Sequence, residues 1–348
     1  MQSLFKQTRT RVQSPAAQAR ERERGLLSAS RCCAAIQLGT QLLLWIFFFA
    51  YDRTKQTVWQ AALMLFLPLS ILWLVWRSTE ADHPSARWWR LPLVLCLLLD
   101  AGFLLTAISG FISQLVPTYP PWVPVAIPAV ICWLTVLCAR PRGVKYGSAV
   151  LAVPLVALLI IGTVFLRAST RADRMWPILG SGLISTARAA LTGAGAVWSI
   201  PLLFLKNGAA KTARWAAVPW ALAVLCAVWF GFLNPWSPGD ELPIAEKMMG
   251  LARHAHSVIL YEMTGILWMI LLPSALTACF SAAGELICRA FPRLHLWLAL
   301  LPAALLPAAA LLIWPEKLLA AWQFVLPWRY AVSLLCGLGL MITGRRRA

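Results

Sequence analysis

Charged residues are scarce in this sequence: they make up 13% of its 348 residues, whereas hydrophobic residues make up 60%. A soluble domain carries about 25% charged residues, because it must present a polar surface to water. The scarcity of charge therefore excludes a cytosolic enzyme, a disulfide scaffold and a disordered chain. We also expect no sizeable soluble domain, since hydrophobic runs occupy most of the chain.

Metal-binding and catalytic motifs are also missing from the sequence. Of its four histidines only His254 and His256 are near neighbours, and residues two apart on a helix face different directions. We interpret this pair as polar loop residues in preference to metal ligands. Among nine cysteines only Cys32 and Cys33 are close in sequence, so no metal-ligand spacing occurs. Nucleophile–base motifs and phosphate-binding glycine loops are missing too, so we expect no cofactor, no metal and no enzymatic activity.

The sequence has instead a series of long apolar runs. A helix of about 20 residues crosses the hydrocarbon core of a bilayer, and ten runs have this character. We name them spans one to ten, at residues 32–51, 58–76, 91–115, 122–139, 146–166, 183–205, 215–233, 259–287, 294–314 and 318–342. The sequence therefore predicts an all-α polytopic membrane protein with about ten transmembrane helices.

The basic residues predict the orientation of these spans. A basic tail at residues 1–31 precedes the transmembrane domain, residues 32–342, and a second basic tail, residues 343–348, follows it. With ten spans, 21 Lys and Arg residues fall on the side of both tails and 8 on the opposite side. The positive-inside rule then places both termini in the cytoplasm. The net charge of +18 is spread between spans and not along one stripe, so we expect a lipid bilayer as partner and no nucleic acid.

Ionisable residues inside the spans are candidates for a functional site, because charge at bilayer depth is costly unless it is paired or hydrated. Asp100 is the clearest case, about ten residues into span three. We expect it to face the bundle interior, where a functional role and a hydrogen bond between helices are equally plausible. For Glu262, Glu285, Arg188 and Arg329, snorkelling or pairing between helices is the favoured explanation.

Glycine interruptions are the second signal. Gly39-Thr40 in span one and Thr192 to Ala196 in span six stand five spans apart, and such breaks in two halves of a transporter mark a site at the membrane midplane. The alternative is small-residue packing between helices. We predict a cavity between spans one and six, closed by spans three and eight, with an amino acid as the first ligand class and a nucleoside or sugar as the second. The predicted ligand-binding residues are Gly39, Thr40, Asp100, Thr192, Gly193, Ala194, Gly195, Ala196 and Glu262.

Several short motifs follow one another in a recognisable order. They are Gln37-Leu-Gly-Thr40 in span one, Thr57-Val-Trp-Gln-Ala61 at span two, Trp176-Pro-Ile-Leu-Gly-Ser-Gly182 before span six, and Tyr261-Glu-Met-Thr-Gly-Ile-Leu-Trp268 in span eight. In this order they resemble the spore germination permease family, the B-type membrane subunits of GerA-type germinant receptors in the amino acid-polyamine-organocation superfamily.

The resemblance implies a LeuT-like 5+5 inverted repeat, with repeat one at about residues 32–166 and repeat two at about residues 183–342. It also implies a membrane subunit that binds a small germinant, an amino acid being favoured, with A-type and C-type receptor subunits as partners. The location implied is the spore inner membrane or the bacterial cell membrane. A secondary amino-acid transporter of the same fold, and an assembly subunit that binds no ligand, remain as alternatives.

Topology gives the first testable prediction. Reporter domains fused to either terminus should lie in the cytoplasm, because the basic residues are concentrated on that side. A reporter inserted between Asp52 and Lys55, in the predicted turn between spans one and two, serves as the control and should lie on the opposite side. Either terminus outside the cytoplasm would contradict the ten-span arrangement.

Overall fold

A computed structural model of the chain describes residues 58–77, 87–166, 182–196 and 258–345, together with Trp198 and part of the segment 25–45. Span seven, His254 and His256 lie outside the described residues. All regular structure within the described ranges is helical.

Eight helices have defined bounds. They are α1 Val58–Met64, α2 Phe66–Arg77, α3 Arg87–Leu115, α4 Val123–Leu166, α5 Leu183–Ala196, α6 Val258–Ala290, α7 Leu296–Ile313 and α8 Pro315–Arg345. The described residues between 29 and 45 are also helical, and we call them the first helix. Spans three, eight, nine and ten correspond to α3, α6, α7 and α8, whose ends differ from the predicted bounds by about one helical turn at most.

Six helical stretches in the described part of the chain are long and apolar enough to cross a membrane. They are Trp59–Trp76, Trp88–Leu115, Val123–Ser148, Tyr261–Ala290, Leu296–Ile313 and Phe324–Ile342. Their outward side chains are apolar as well: in α4, Val150, Val153, Val156 and Ile160 are all exposed. A continuous apolar surface of this kind faces lipid. The chain is a multi-pass integral membrane protein.

Spans four and five form the single long helix α4, with a break at Arg140. The 44 residues of α4 would extend about 66 Å if straight, more than twice the bilayer core of about 30 Å. Arg140 has φ 56° and ψ 167°, which is not helical, and its left-handed φ is strained for a residue with a Cβ. Pro141 follows, where a new helix needs no amide donor. Arg140 therefore divides α4 into two helical segments, at the predicted boundary between spans four and five.

Span two is interrupted at Leu65, which lies in a turn between α1 and α2. Pro68 has no amide hydrogen to donate to the Met64 carbonyl, so the helix loses one of its bonds there. The Leu69 amide donates to the Leu65 carbonyl at 3.1 Å, which restores helical bonding beyond the turn. The Pro68 carbonyl accepts a hydrogen bond of 2.9 Å from the hydroxyl of Tyr330 in α8. This hydrogen bond attaches span two to span ten.

The helices pack as two groups joined by α8. Helices α3, α4, α6 and α7 each contact the other three, and we call them the four-helix group. Helices α1, α2 and α5 contact one another and form the three-helix group. Helix α8 contacts α3 and α7 of the first group and α2 and α5 of the second. Interactions made by α8 therefore couple the two groups.

Candidate functional site

A buried ion pair lies where α3, α8 and Trp198 meet. Asp100 of α3 and Arg329 of α8 are both fully buried, and the Arg329 Nη1 donates to the Asp100 Oδ1. The other carboxylate oxygen, Oδ2, accepts a bond of 2.9 Å from Nε1 of Trp198, which is also fully buried. Asp100 faces the bundle interior, as predicted.

This geometry explains how the charge of Asp100 is tolerated. Removing a carboxylate from water is costly, and an opposite charge with a second hydrogen bond offsets much of that cost. Both carboxylate oxygens are engaged by protein side chains. Asp100 therefore links helices by hydrogen bonds, which is one of the two explanations that the sequence allowed for it. Arg329 pairs with a residue of another helix, as the sequence favoured.

The glycines of α5 lie against packed atoms. A Cβ at Gly193 would come within 2.8 Å of the side chains of Leu65 and Trp45. A Cβ at Gly195 would overlap the backbone oxygen of Leu326 in α8. Only glycine permits this approach of two helix backbones, which is the small-residue packing common between membrane helices.

The unwinding predicted at the two glycine interruptions was wrong for the described residues. Helix α5 is continuous through Ala196, and Gly39 and Thr40 are helical. The physical reason is that close neighbours fill the space beside Gly193 and Gly195, so the helix keeps its backbone hydrogen bonds. The next described residue, Trp198, lies in a turn, so α5 ends beyond its glycines.

The first helix places polar side chains against both α5 and α6. Its Gln37 Nε2 lies 3.3 Å from the Cys279 Sγ of α6, and its Trp45 Nε1 donates to the Thr192 Oγ1 of α5 at 3.1 Å. Gln37 and Trp45 are eight residues apart, so they lie about two turns apart on neighbouring parts of one face. We call the region where the first helix contacts α5 and α6 the seam.

The predicted site residues are only partly brought together. Thr192 and Gly193 contact Trp45 of the first helix, which also carries Gly39 and the buried Thr40. Ala194, Gly195 and Ala196 are buried in α5, with Gly195 against α8. Asp100 belongs to the ion pair described above. Glu262 is exposed at the start of α6 and is not brought to the seam.

Three buried residues that hydrogen-bond to other helices were not among the predicted site residues: Gln37, Trp45 and Trp198. The sequence did contain a signal for them. Tryptophan is typical of span ends, where it lies at the membrane interface, whereas Trp45 and Trp198 lie inside spans one and six. Gln37 likewise lies within an apolar run, where an amide needs a partner.

Comparison with solved structures identifies the fold. The structure is similar to Mhp1, a nucleobase-cation-symport-1 family transporter, in a closed conformation with bromovinylhydantoin bound, with a TM-score of 0.60 at 12% identity over 92% of each chain. It is similar to the inward-facing conformation of Mhp1 with a TM-score of 0.55 at 15% identity, over 92% of this chain and 78% of that one. A manganese transporter from Eremococcus coleocola gives a TM-score of 0.52 at 14% identity, over 91% of this chain and 76% of that one.

The chain has the LeuT-like transporter fold. Its sequence matches no protein-family model and no curated protein. The fold expected from the sequence, an all-α polytopic membrane protein with a LeuT-like 5+5 inverted repeat, is confirmed by these structures.

Glycine packing gives the second testable prediction. Gly195→Ala should lower the free energy of unfolding by about 1–3 kcal/mol, because the added methyl group meets the Leu326 backbone oxygen. Gly147→Ala in α4 is the matched control, since nothing lies within 4 Å of a Cβ there. That variant should be about 0.5–1 kcal/mol more stable, because alanine favours helix. Thermal unfolding of both variants in detergent would test the prediction, and equal effects would contradict it.

The Asp100–Arg329 ion pair gives the third testable prediction. Asp100→Leu and Arg329→Met should each lower stability by about 3–5 kcal/mol, because each leaves the partner charge buried without its counter-ion. The double variant should lose much less than the sum of the two single effects. Arg188→Met, at an exposed position of α5, is the control and should change stability little. Additive losses in the double variant would show that the two residues are not coupled.

Proposed function

We propose that the chain binds a small polar solute at the seam between the first helix, α5 and α6. The observation that carries this proposal is the line of polar side chains on the first helix, where Gln37 contacts α6 and Trp45 contacts α5. Polar groups at bilayer depth are costly and typical of binding sites or pathways. The solved structure of Mhp1, which has the same fold, contains a bound small molecule, bromovinylhydantoin.

We propose further that the chain is the membrane subunit of a spore germinant receptor. Support comes from the order of its sequence motifs, which resembles that of the germination permease family. In this proposal the solute is a germinant, with an amino acid as the first candidate from sequence, and A-type and C-type subunits are the partners. The subunit would lie in the spore inner membrane with both termini in the cytoplasm.

A second candidate function is secondary transport of the solute. It is favoured by similarity to a transporter over almost the whole length of both proteins, 92% of this chain and 92% of Mhp1. The two functions share a binding site and differ in whether the solute crosses the membrane.

Solute binding and uptake by the full-length chain would test these proposals. We expect one class from a panel of amino acids, nucleobases and sugars to stabilise the purified protein, by about 2.7 kcal/mol at 100 times its Kd. The same solutes, labelled, would be offered to proteoliposomes, and deletion spores would be tested for germination.

The outcomes separate the candidates. A germination defect without uptake supports the receptor, and uptake supports the transporter. Failure of the whole panel to stabilise a correctly inserted protein would contradict solute binding and would favour an assembly subunit. Arg188→Gln, which changes an exposed side chain, is the control and should bind as the wild type does.

A further inference from the structure

Two buried polar side chains of the first helix lack partners within the described residues. Gln41 is 1% exposed, and neither its Oε1 nor its Nε2 has a hydrogen-bond partner there. The adjacent Thr40 is 0% exposed, and its Oγ1 also has no hydrogen-bond partner among the described residues. Burial of a carboxamide without any hydrogen bond is unfavourable, so a buried amide in this state indicates a group that binds something else.

The position of Gln41 places it within the seam. Gln41 lies four residues after Gln37, which contacts α6, and four residues before Trp45, which contacts α5. Residues four apart lie on neighbouring parts of one helix face. The Gln41 amide therefore lies between the contact with α6 and the contact with α5.

Few charged residues lie along the described part of the seam: Lys145 and Glu285 are near Cys33, eight residues or about two helical turns before Gln41. The described residues of the first helix from 32 to 45 are all uncharged. The buried residues of α5 and residues 263–284 of α6 are uncharged as well. Asp100 and Arg329 neutralise each other. The backbone is helical at Gly39, at Thr40 and from Thr192 to Ala196, so its amides are engaged within helices.

A zwitterion would therefore lack a counter-charge here, whereas an uncharged amide would find a complement. The carboxamide of Gln41 carries a donor and an acceptor side by side. An N–H next to a C=O on a planar ligand can pair with both at once. Nucleobases and primary carboxamides carry such an edge.

We propose that Gln41 and Thr40 bind an uncharged solute through a planar amide edge, with Gln41 Oε1 accepting from the N–H and Gln41 Nε2 donating to the C=O. Thr40 Oγ1 is available to a third polar atom of the solute. This inference rests on the proposed function and replaces the amino acid expected from sequence by an uncharged, nucleobase-like or carboxamide solute.

The experiment uses the purified full-length chain and two amide-edge probes, uracil and nicotinamide, with L-alanine as the zwitterionic comparison. At least one amide probe should bind in equilibrium dialysis and raise the thermal midpoint, and L-alanine should do neither. Gln41→Met keeps the length of the side chain and removes both hydrogen-bonding groups. It should weaken binding of the amide probe about tenfold or more.

The unliganded variants supply a readout that a merely structural glutamine would not give. Gln41→Met and Thr40→Val should unfold at the wild-type temperature or above it, because each removes a buried polar group without a partner. Gln60→Met in α1 is the matched control, since Gln60 is also buried, at 5% exposure. It should leave the affinity for the probe unchanged.

Each contrary result would overturn a different part of this inference. Equal affinity of wild type and Gln41→Met for the amide probe would overturn the site, and so would a lower midpoint of unliganded Gln41→Met. Binding of L-alanine but of neither amide probe would overturn the ligand class while leaving the proposed function intact. If none of the three probes binds, the amide-edge inference fails, and the proposed function fails only if the wider panel also gives no binding.

Discussion

Polar groups inside a bilayer have to be satisfied by the protein itself, and the Asp100–Arg329 pair is where this constraint is most severe. The two charges come from α3 and α8, and Trp198 adds a third contact from the chain beyond α5. Helix α3 belongs to the four-helix group and α5 to the three-helix group, while α8 contacts both. The ion pair therefore holds the two groups of helices together at their common boundary.

Close backbone approach supplements that link. Between membrane helices the hydrophobic effect contributes little, because lipid is as apolar as the side chains, and association depends on packing and hydrogen bonds. Gly195 lets α5 reach the backbone of α8, and Gly193 lets it reach the first helix and span two. Helix α5 therefore contacts the first helix, span two and α8.

Charge and hydrogen-bonding capacity are divided between two places. The buried charges of Asp100 in α3 and Arg329 in α8 are paired with each other, whereas the first helix carries neutral polar groups, at Thr40 and Gln41, without partners among the described residues. In our proposal the first arrangement stabilises the fold and the second binds the solute. A site built in this way would select for hydrogen-bond pattern and shape instead of charge.

Hydrophobic run length was enough to predict most of the helices that the structure describes, including α3, α6, α7 and α8 to about one turn. Run length is a local property, and a bilayer requires a helix of fixed minimum length wherever such a run occurs. The same local reasoning placed Asp100 in the interior, because a carboxylate in an apolar run cannot face lipid at acceptable cost. It also separated spans four and five at Arg140, where charge and proline interrupt the run.

Local sequence reasoning could not predict the hydrogen-bond partners of buried polar groups or the role of the glycines. Both depend on residues that are distant in the chain. Arg329 pairs with Asp100 across 229 positions, and Trp45 bonds Thr192 across 147. Glycine weakens a helix in isolation, so sequence alone favoured unwinding at Gly193 and Gly195; in the folded protein their neighbours occupy the adjoining space and the helix persists. The amino-acid sequence thus establishes which segments cross the membrane and which charge must be buried. Which polar groups satisfy one another, and which remain without partners among the described residues, follows from the way the helices pack.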